Sequence, residues 1–477
     1  MSRVRSRRSE CILRREANVV NRMKKSVWLA VAVAVAVLGL GGCGSNSPAS
    51  GVNASSSTGT GQQSTGAAQT SATGTGSSTG TGSSSTGGSG SSATGGSSSS
   101  SSVSTPAADG GSGGSASASP DASVSDAGSG QAGDDGSANP TEPADAAVRF
   151  VARVDYESAT GPRFAWSGST ILAQFTGNSI GIRLSGAAKY FDVTIDGTLQ
   201  TPPLLLAAGT TEYPLAANLD GGTHQLSVFR RNEPVLPGTG SGDTTYLGLI
   251  LADGGALLPP TAPSARRIEI VGDSVTSGYG DDSVNGACPN PLLAQNYDVA
   301  YGAVAAHTLG ADLITIAWTG KGMYRNDDGT TTATMPDMYG LALPDVTTST
   351  WNFASWIPDA VVIYLGNNDF GQGDPGQSYV TTYRTFIARV RTNYPSALIV
   401  CTIGPNLTDP KLTEERTYVQ GIVNAENTDA GDTNVVFLEM PQPLASEGTG
   451  CGGHPLAVTH ARMGAALVTL LQTKLGW

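Results

Sequence analysis

Hydrophobic positions divide this chain into four stretches of different texture. In the first, Met23-Lys24-Lys25 leads into an apolar run from Val27 to Leu40, closed by Gly41-Gly42-Cys43. In the second, from Gly44 to about Ala146, large apolar residues all but vanish among Gly, Ser, Thr and Ala. From Arg149 to about Leu258 apolar and polar residues alternate with period two. Ile180, Ile182 and Leu184 form one such set, and Phe191, Val193 and Ile195 form another that runs into Asp196-Gly197, a hairpin turn pair. Gly221-Gly222 precedes a third, His224 to Phe229. Short strands with regular turn signals predict a β-sandwich of about 110 residues. Pro259-Pro260 and Pro263 mark a boundary, and beyond them short apolar runs alternate with helical stretches. The strands expected are Ile268 to Val271, Leu313 to Ala317, Ala360 to Leu365, Leu398 to Ile403 and Val435 to Leu438. Helices are expected at Tyr379 to Thr392, at Leu412 to Ala425 and after His460. That alternation predicts an α/β domain with a parallel sheet flanked by helices. The expected organisation is therefore residues 1–43, 44–146, 147–260 and 264–477.

The first stretch reads as a signal peptide: a basic start, a short apolar run and small residues at the cut. The run falls short of the roughly 20 apolar residues of a transmembrane helix. Leu40-Gly41-Gly42-Cys43 resembles a bacterial lipobox, in which Cys43 is acylated and becomes the new N-terminus. The expectation is an extracytoplasmic protein, lipid-anchored to a membrane or cell surface. The second stretch has too little apolar surface for a core and reads as a disordered tether with an r.m.s. span of about 50–60 Å. The formal net charge of −12 offers no electrostatic footprint for nucleic acid and fits an exported protein acting on a neutral partner. Of the five cysteines, Cys11 and Cys43 lie in the export segment and Cys401 lies in an apolar strand. Cys288 and Cys451 lie in Gly/Pro-rich loops. An oxidising compartment permits them to pair, but sequence does not give the Cα separation a disulfide requires.

Chemistry concentrates at strand ends. Ile268-Glu269-Ile270-Val271 ends in Gly272-Asp273-Ser274, a turn able to lift a serine hydroxyl out at the carboxyl edge of the sheet, where open α/β sheets bind ligands. The Leu313 strand is followed by Trp318-Thr319-Gly320-Lys321-Gly322, and the Ala360 strand by Gly366-Asn367-Asn368-Asp369. A serine, a glycine-rich backbone and an asparagine on one edge are the parts acyl transfer needs: a nucleophile, and donors aimed at a developing oxyanion. The chain has four histidines. His224 lies in a sandwich strand and His307 in a helix, and both read as structural. His460 begins a helix, where capping or packing is expected. His454, in the loop Cys451-Gly452-Gly453-His454-Pro455, is the better base. Asp273 and Asp369 read as acceptors of nearby backbone N–H groups. Trp166 reads as core rather than as a sugar platform. No His/Cys/Asp cluster has metal-ligand spacing, so no metal and no cofactor are expected.

The ordered set of Gly-Asp-Ser near 272, Gly320, Asn368 and His454 resembles the SGNH (GDSL) hydrolases. Ile-Val-Gly-Asp-Ser-Val-Thr-Ser-Gly-Tyr-Gly, Gly-Lys-Gly-Met-Tyr-Arg-Asn and the His-Pro-x4-His spacing are similar to carbohydrate esterase family 2. So is a β-sandwich ending at Asp253-Gly254-Gly255-Ala256-Leu257-Leu258-Pro259-Pro260. The resemblance implies a jelly-roll domain followed by an SGNH-type hydrolase domain. It further implies removal of O-acetyl groups from plant polysaccharides such as acetylxylan and acetylated glucomannan. It assigns Ser274 as nucleophile and His454 as general base, with an oxyanion hole of the Ser274 N–H, the Gly320 N–H and the Asn368 amide; Gly322 is close enough to compete with Gly320. It also implies an aromatic-lined cleft that would include Tyr324, Trp356 or Phe370. One departure matters. The aspartate that relatives carry two or three residues before the histidine is replaced by Gly452 or Cys451. Some members of the family lack this acid too and orient the histidine through a main-chain carbonyl, so the resemblance implies the same for His454, with Glu447 as the rival carboxylate. The partners expected are a polysaccharide, no nucleic acid and a membrane through the lipid alone, with the protein a monomer. Two other readings are a general SGNH or peptidoglycan O-acetyl esterase, and a carbohydrate-binding protein with little turnover.

Overall fold

The computed structural model describes residues 147–235, 242–284 and 286–477. The expected signal segment, the Gly/Ser/Thr tether and the lipidation residue Cys43 lie outside the described residues. The first part of the described chain is two antiparallel sheets, one of seven strands and one of four. Alternation builds them. In Thr170–Thr176 and Thr223–Arg230 every second side chain is buried, so each strand gives one face to a shared interior. That interior holds Phe164, Phe175, Ile182, Leu184, Phe191 and Val228. Ile195 pairs with Thr198 across Asp196 and Gly197, which both take positive φ, 49° and 73°, as a two-residue hairpin turn demands. His224 is buried, with its Nδ1 2.7 Å from Asp196 Oδ2, so it ties its strand to that turn.

Five parallel strands follow, in the spatial order Asp312–Ala317, Arg267–Gly272, Ala360–Tyr364, Leu398–Ile403 and Val435–Glu439. The middle members are buried at nearly every position, because helices cover both faces of the sheet. These helices are Tyr301–Leu309, Gly376–Asn393, Lys411–Thr428 and Ala457–Leu475. The last begins before His460 rather than after it. Leu456 is still extended at φ −81° and ψ 164°, and the helix starts at the next residue, which puts His460 in the first turn facing inward. The chain order reverses at Arg267–Gly272, because the next two strands of the chain, Asp312–Ala317 and Ala360–Tyr364, lie on opposite sides of it. A crevice forms at such a switch point. Register makes it level: Gly272 stands opposite both Ala317 and Tyr364, so three loops leave the sheet together.

The sandwich and the parallel sheet share an interior. Trp166, from the sandwich, is 1% exposed and sits among Val271, Ile314 and Ile316 in the core of the α/β part. Arg153 pairs with Glu269 of the central strand at 3.0 Å, both side chains fully buried, and Glu269 also accepts from the Tyr339 hydroxyl at 2.6 Å. Phe229 stacks on Tyr297 with 6.0 Å between ring centroids. The sandwich also braces one of the three loops. Trp318 Nε1 donates to the Val235 carbonyl at 3.0 Å, and the Thr319 N–H donates to Glu233 Oε2 at 2.6 Å. Burial raises the Glu233 carboxyl to about 7, although the bonds from Thr319 favour its charged form.

Candidate active site

Ser274 sits on a turn two residues past the central strand, 5% exposed. The turn is closed by its own backbone: Ser277 N–H donates to the Asp273 carbonyl at 2.9 Å and Tyr279 N–H to the Ser274 carbonyl at 3.0 Å. Asp273 Oδ1 accepts from the Val275 N–H at 3.0 Å and Oδ2 from the Asn367 amide at 3.1 Å, so this carboxyl ties the turn to the next loop. Burial raises Asp273 to about 7, against those hydrogen bonds. Residue 272 must be glycine, since a Cβ there would lie 2.0 Å from Thr276 Oγ1.

His454 reaches the serine from the other side of the crevice. Its Nε2 lies 2.7 Å from Ser274 Oγ, and its Nδ1 lies 2.9 Å from the Cys451 carbonyl oxygen. A carbonyl oxygen only accepts, so Nδ1 carries the proton and Nε2 presents its lone pair to the serine hydroxyl. The Tyr279 ring meets the imidazole edge to face at 5.0 Å. Burial holds His454 below the usual 6.5, while main-chain bonds to Cys451 and Gly452 act the other way. The imidazole is therefore neutral at pH 7, as a base must be. Glu447 does not approach it. That carboxylate binds Arg462 at 2.7 and 2.8 Å and Thr459 Oγ1 at 2.8 Å, and is held down to about 2. His460 is fully buried. Its Nδ1 accepts from the Tyr301 N–H at 3.2 Å, so it caps the helix that begins there.

The expected donors lie on the two neighbouring loops. Asn368 Nδ2 gives one hydrogen to the Lys321 carbonyl at 2.8 Å and keeps a second. The N–H groups of Ser274 and Gly320 donate to no other group among the described residues. Gly322, the competitor, is engaged: its N–H donates to Asn326 Oδ1 at 3.2 Å. Asp369 holds the loop in place, accepting from the N–H groups of Met323, Tyr324 and Arg325 at 2.8 to 2.9 Å. Burial lifts its carboxyl to about 6 against those three bonds. Asp273 and Asp369 are thus structural acceptors, as expected.

The three aromatic candidates fall in three places. Tyr324 is half-buried on the Gly320 loop. Phe370 is fully buried and packs edge-on against Tyr379 and Tyr418, so it belongs to the core and not to a cleft. Trp356 lines a cleft of about 570 Å³ with Tyr156 and Trp351, and neither Ser274 nor His454 borders it. Cys288 and Cys451 are joined as a disulfide, their Cα atoms 5.4 Å apart. Among the described residues no cluster could hold a metal ion. Glu233 and Tyr279 were not anticipated. Tyr279 carried a signal, its place five residues beyond the serine in a turn; Glu233 carried none, because it comes from the other domain.

A serine–imidazole pair at a parallel-sheet switch point, with amide donors on the two neighbouring loops, is the arrangement of the GDSL-type hydrolases. The GDSL-like Lipase/Acylhydrolase family model matches residues 270–462. The sandwich narrows the class, because residues 150–261 match the Carbohydrate esterase 2 N-terminal model. The chain belongs to carbohydrate esterase family 2. It is 34% identical over 332 residues to the cellulase/esterase CelE of Acetivibrio thermocellus, covering 69% of this chain and 40% of that protein. It is 27% identical over 335 residues to an acetylxylan esterase / glucomannan deacetylase of Cellvibrio japonicus, covering 69% of this chain and 89% of that one. A family two carbohydrate esterase from Clostridium thermocellum, solved in complex with cellohexaose, superposes with a TM-score of 0.65. It is 34% identical, over 69% of this chain and 99% of that chain.

Proposed function

We propose that this protein is a serine esterase that removes O-acetyl groups from plant cell-wall polysaccharides, acetylxylan and acetylated glucomannan, through a Ser274–His454 dyad. The observation that carries the proposal is the relay from the Cys451 carbonyl through His454 to Ser274 Oγ, 2.9 and 2.7 Å long. In this reading Ser274 Oγ attacks the acetyl carbonyl as His454 Nε2 takes its proton. The oxyanion meets the Ser274 N–H, the Gly320 N–H and the free hydrogen of Asn368. Collapse expels the sugar oxygen, which takes the proton from His454, and leaves an acetyl group on Ser274. Water then attacks the acetyl carbonyl as the same imidazole takes its proton; collapse breaks the bond to Ser274 Oγ, which takes that proton back from His454, and acetate leaves. The Cys451 carbonyl dipole does part of what a carboxylate does elsewhere: it fixes the tautomer and steadies the imidazolium. The substrate class follows the Cellvibrio japonicus relative, an acetylxylan esterase / glucomannan deacetylase. Export by the leading segment and anchoring through acylated Cys43, with residues 44–146 as tether, complete the proposal.

The test is acetate release by the purified protein, begun after Cys43, from acetylated xylan, acetylated glucomannan and O-acetylated peptidoglycan. Release from the two plant polymers is expected. Release from peptidoglycan alone would replace the substrate class. The cellohexaose seated on the Clostridium thermocellum enzyme favours a second reading, glycan binding with little turnover. Retention on glucan with no acetate released from any polymer would select it.

Two further results follow from the site. Asn368→Ala is expected to lower kcat by about 10²–10³-fold with a small change in KM, since it removes a donor that acts mainly in the transition state. Steady-state kinetics on an aryl acetate checks this, and an unchanged kcat would remove Asn368 from the oxyanion hole. The base must be neutral to accept a proton, and burial lowers its pKa. Activity is therefore expected to be full above the usual imidazole range and to fall as the pH drops through a midpoint below 6.5. A kcat/KM profile with its acid limb centred above 6.5 would contradict this.

A further inference from the structure

The loop that carries His454 reads Gly448-Thr449-Gly450-Cys451-Gly452-Gly453-His454, four glycines in seven residues. Its hydrogen bonds close on themselves. Gly450 N–H donates to the His454 carbonyl at 2.7 Å, Gly453 N–H to the Gly450 carbonyl at 3.2 Å, and His454 N–H to the Cys451 carbonyl at 3.1 Å. These bonds shape the turn; its non-covalent ties to the nucleophile turn are the packing of Gly450 and Cys451 against Gly280 and, three residues past His454, the Ala457 N–H donating to the Asp281 carbonyl at 2.9 Å. A glycine-rich turn also gives up much conformational freedom when it is fixed. Yet this turn must hold one carbonyl oxygen on His454 Nδ1 and the ring on Ser274 Oγ at the same time.

A further attachment is covalent. The Cys451 side chain is 1% exposed and bonded to Cys288. Cys288 stands just ahead of Asn290, whose side chain caps Pro291–Ala294. That short helix runs into Gln295 and Asn296, both buried beneath the nucleophile turn. Gln295 Nε2 donates to Ser277 Oγ at 3.2 Å, Ser277 Oγ donates to the Ser274 carbonyl at 3.1 Å, and the Asn296 N–H donates to Asp281 Oδ1 at 2.8 Å. The disulfide therefore joins the histidine's loop to the segment that underlies the serine, and closes a circuit through the two reacting side chains.

We propose that the Cys288–Cys451 disulfide is a positioning element of this site: it fixes the main-chain carbonyl that orients His454, in the place where a carboxylate is missing, and its reduction uncouples His454 from Ser274. The proposal rests on the esterase reading above. Reduction requires two electrons and two protons. A dithiol such as dithiothreitol supplies both: its thiolate attacks the partly exposed Cys288 sulfur and the Cys451 thiolate leaves and is protonated; the reagent's second thiolate then attacks its own sulfur in the mixed disulfide, the Cys288 thiolate leaves and is protonated, and the reagent ends as its cyclic disulfide. Cys451 keeps its carbonyl throughout, so any loss of activity reports position and not the loss of a group.

The experiment compares the wild type, the wild type reduced with dithiothreitol, and Cys288→Ser/Cys451→Ser. Each is measured by kcat and KM on an aryl acetate, by NMR titration of the His454 ring, and by circular dichroism. A small displacement of a catalytic group costs up to about 100-fold, so kcat is expected to fall about 10- to 100-fold in the reduced protein and in the double variant, with KM held within about twofold. Dithiothreitol should have no effect on the double variant. Because burial is the main force holding the His454 pKa down, its titration should move up toward 6.5 when the loop is released. Unchanged kcat and an unchanged titration, with both thiols shown to be free, would overturn the proposal. So would a loss of activity in step with a loss of the circular dichroism signal, which would make the bridge a stabiliser of the fold alone. An oxidised wild type that releases no acetate would instead refute the esterase reading, and the NMR titration would still decide the role of the bridge.

Discussion

Ser274→Ala is expected to abolish turnover of aryl acetates and acetylated polysaccharide, a loss of about 10⁴-fold or more, as removal of a triad nucleophile does. The substitution deletes one oxygen, whose hydrogen bond in the structure is the 2.7 Å contact with His454 Nε2. The turn is held by Asp273 and by the backbone of residues 273–279, none of which depends on that oxygen. The fold should therefore survive, because the deleted hydroxyl's one hydrogen bond is to His454 and not to the turn. Acetate release beside a melting curve is the measurement. A variant with the wild-type melting temperature and wild-type turnover would refute the nucleophile assignment outright.

His454→Ala is expected to be as severe, about 10⁴- to 10⁶-fold in kcat, because residues that act as a unit fail as a unit. The sharper result is the combination. Ser274→Ala/His454→Ala should be no slower than the worse of the two single variants, since each already removes the other's role. Multiplying losses would mean that the two side chains act independently and would overturn the dyad. The neighbouring His460 supplies a contrast. Its Nδ1 caps a helix and its ring lies parallel to Tyr301 at 6.2 Å, so it belongs to the scaffold.

Much of this molecule is legible in its sequence, for reasons particular residues make clear. The parallel strands are short apolar runs, three of them ending at or within two residues of Gly272, Gly366 and Gly404, and the central ones are buried at nearly every position. Ser274, Gly320, Asn368 and His454 stand out because loops at strand ends carry polar groups that a core would not tolerate. What was not legible depends on distance or on main-chain atoms. Phe370 follows Asn368 and Asp369 closely enough to look like part of a cleft, yet the short helix Asn367–Gly371 turns it into the core. Glu233 braces the Thr319 N–H from 86 residues away, and no local pattern announces that. The Cys451 carbonyl has no side-chain signature at all, since every residue has a carbonyl.

Trp166 and Arg153 carry a last consequence. One inserts an indole into the interior of the α/β part and the other neutralises a carboxylate in the middle of its sheet. The proline-rich boundary near 260 thus separates two textures of sequence but not two interiors. Cut there, the C-terminal piece would keep its serine, histidine and asparagine. It would also bear a vacancy the size of an indole and a bare Glu269 in its core, and lose the brace beneath Thr319. Modularity here stops at the level of sequence, and the sandwich is as much a part of this interior as the sheet it covers.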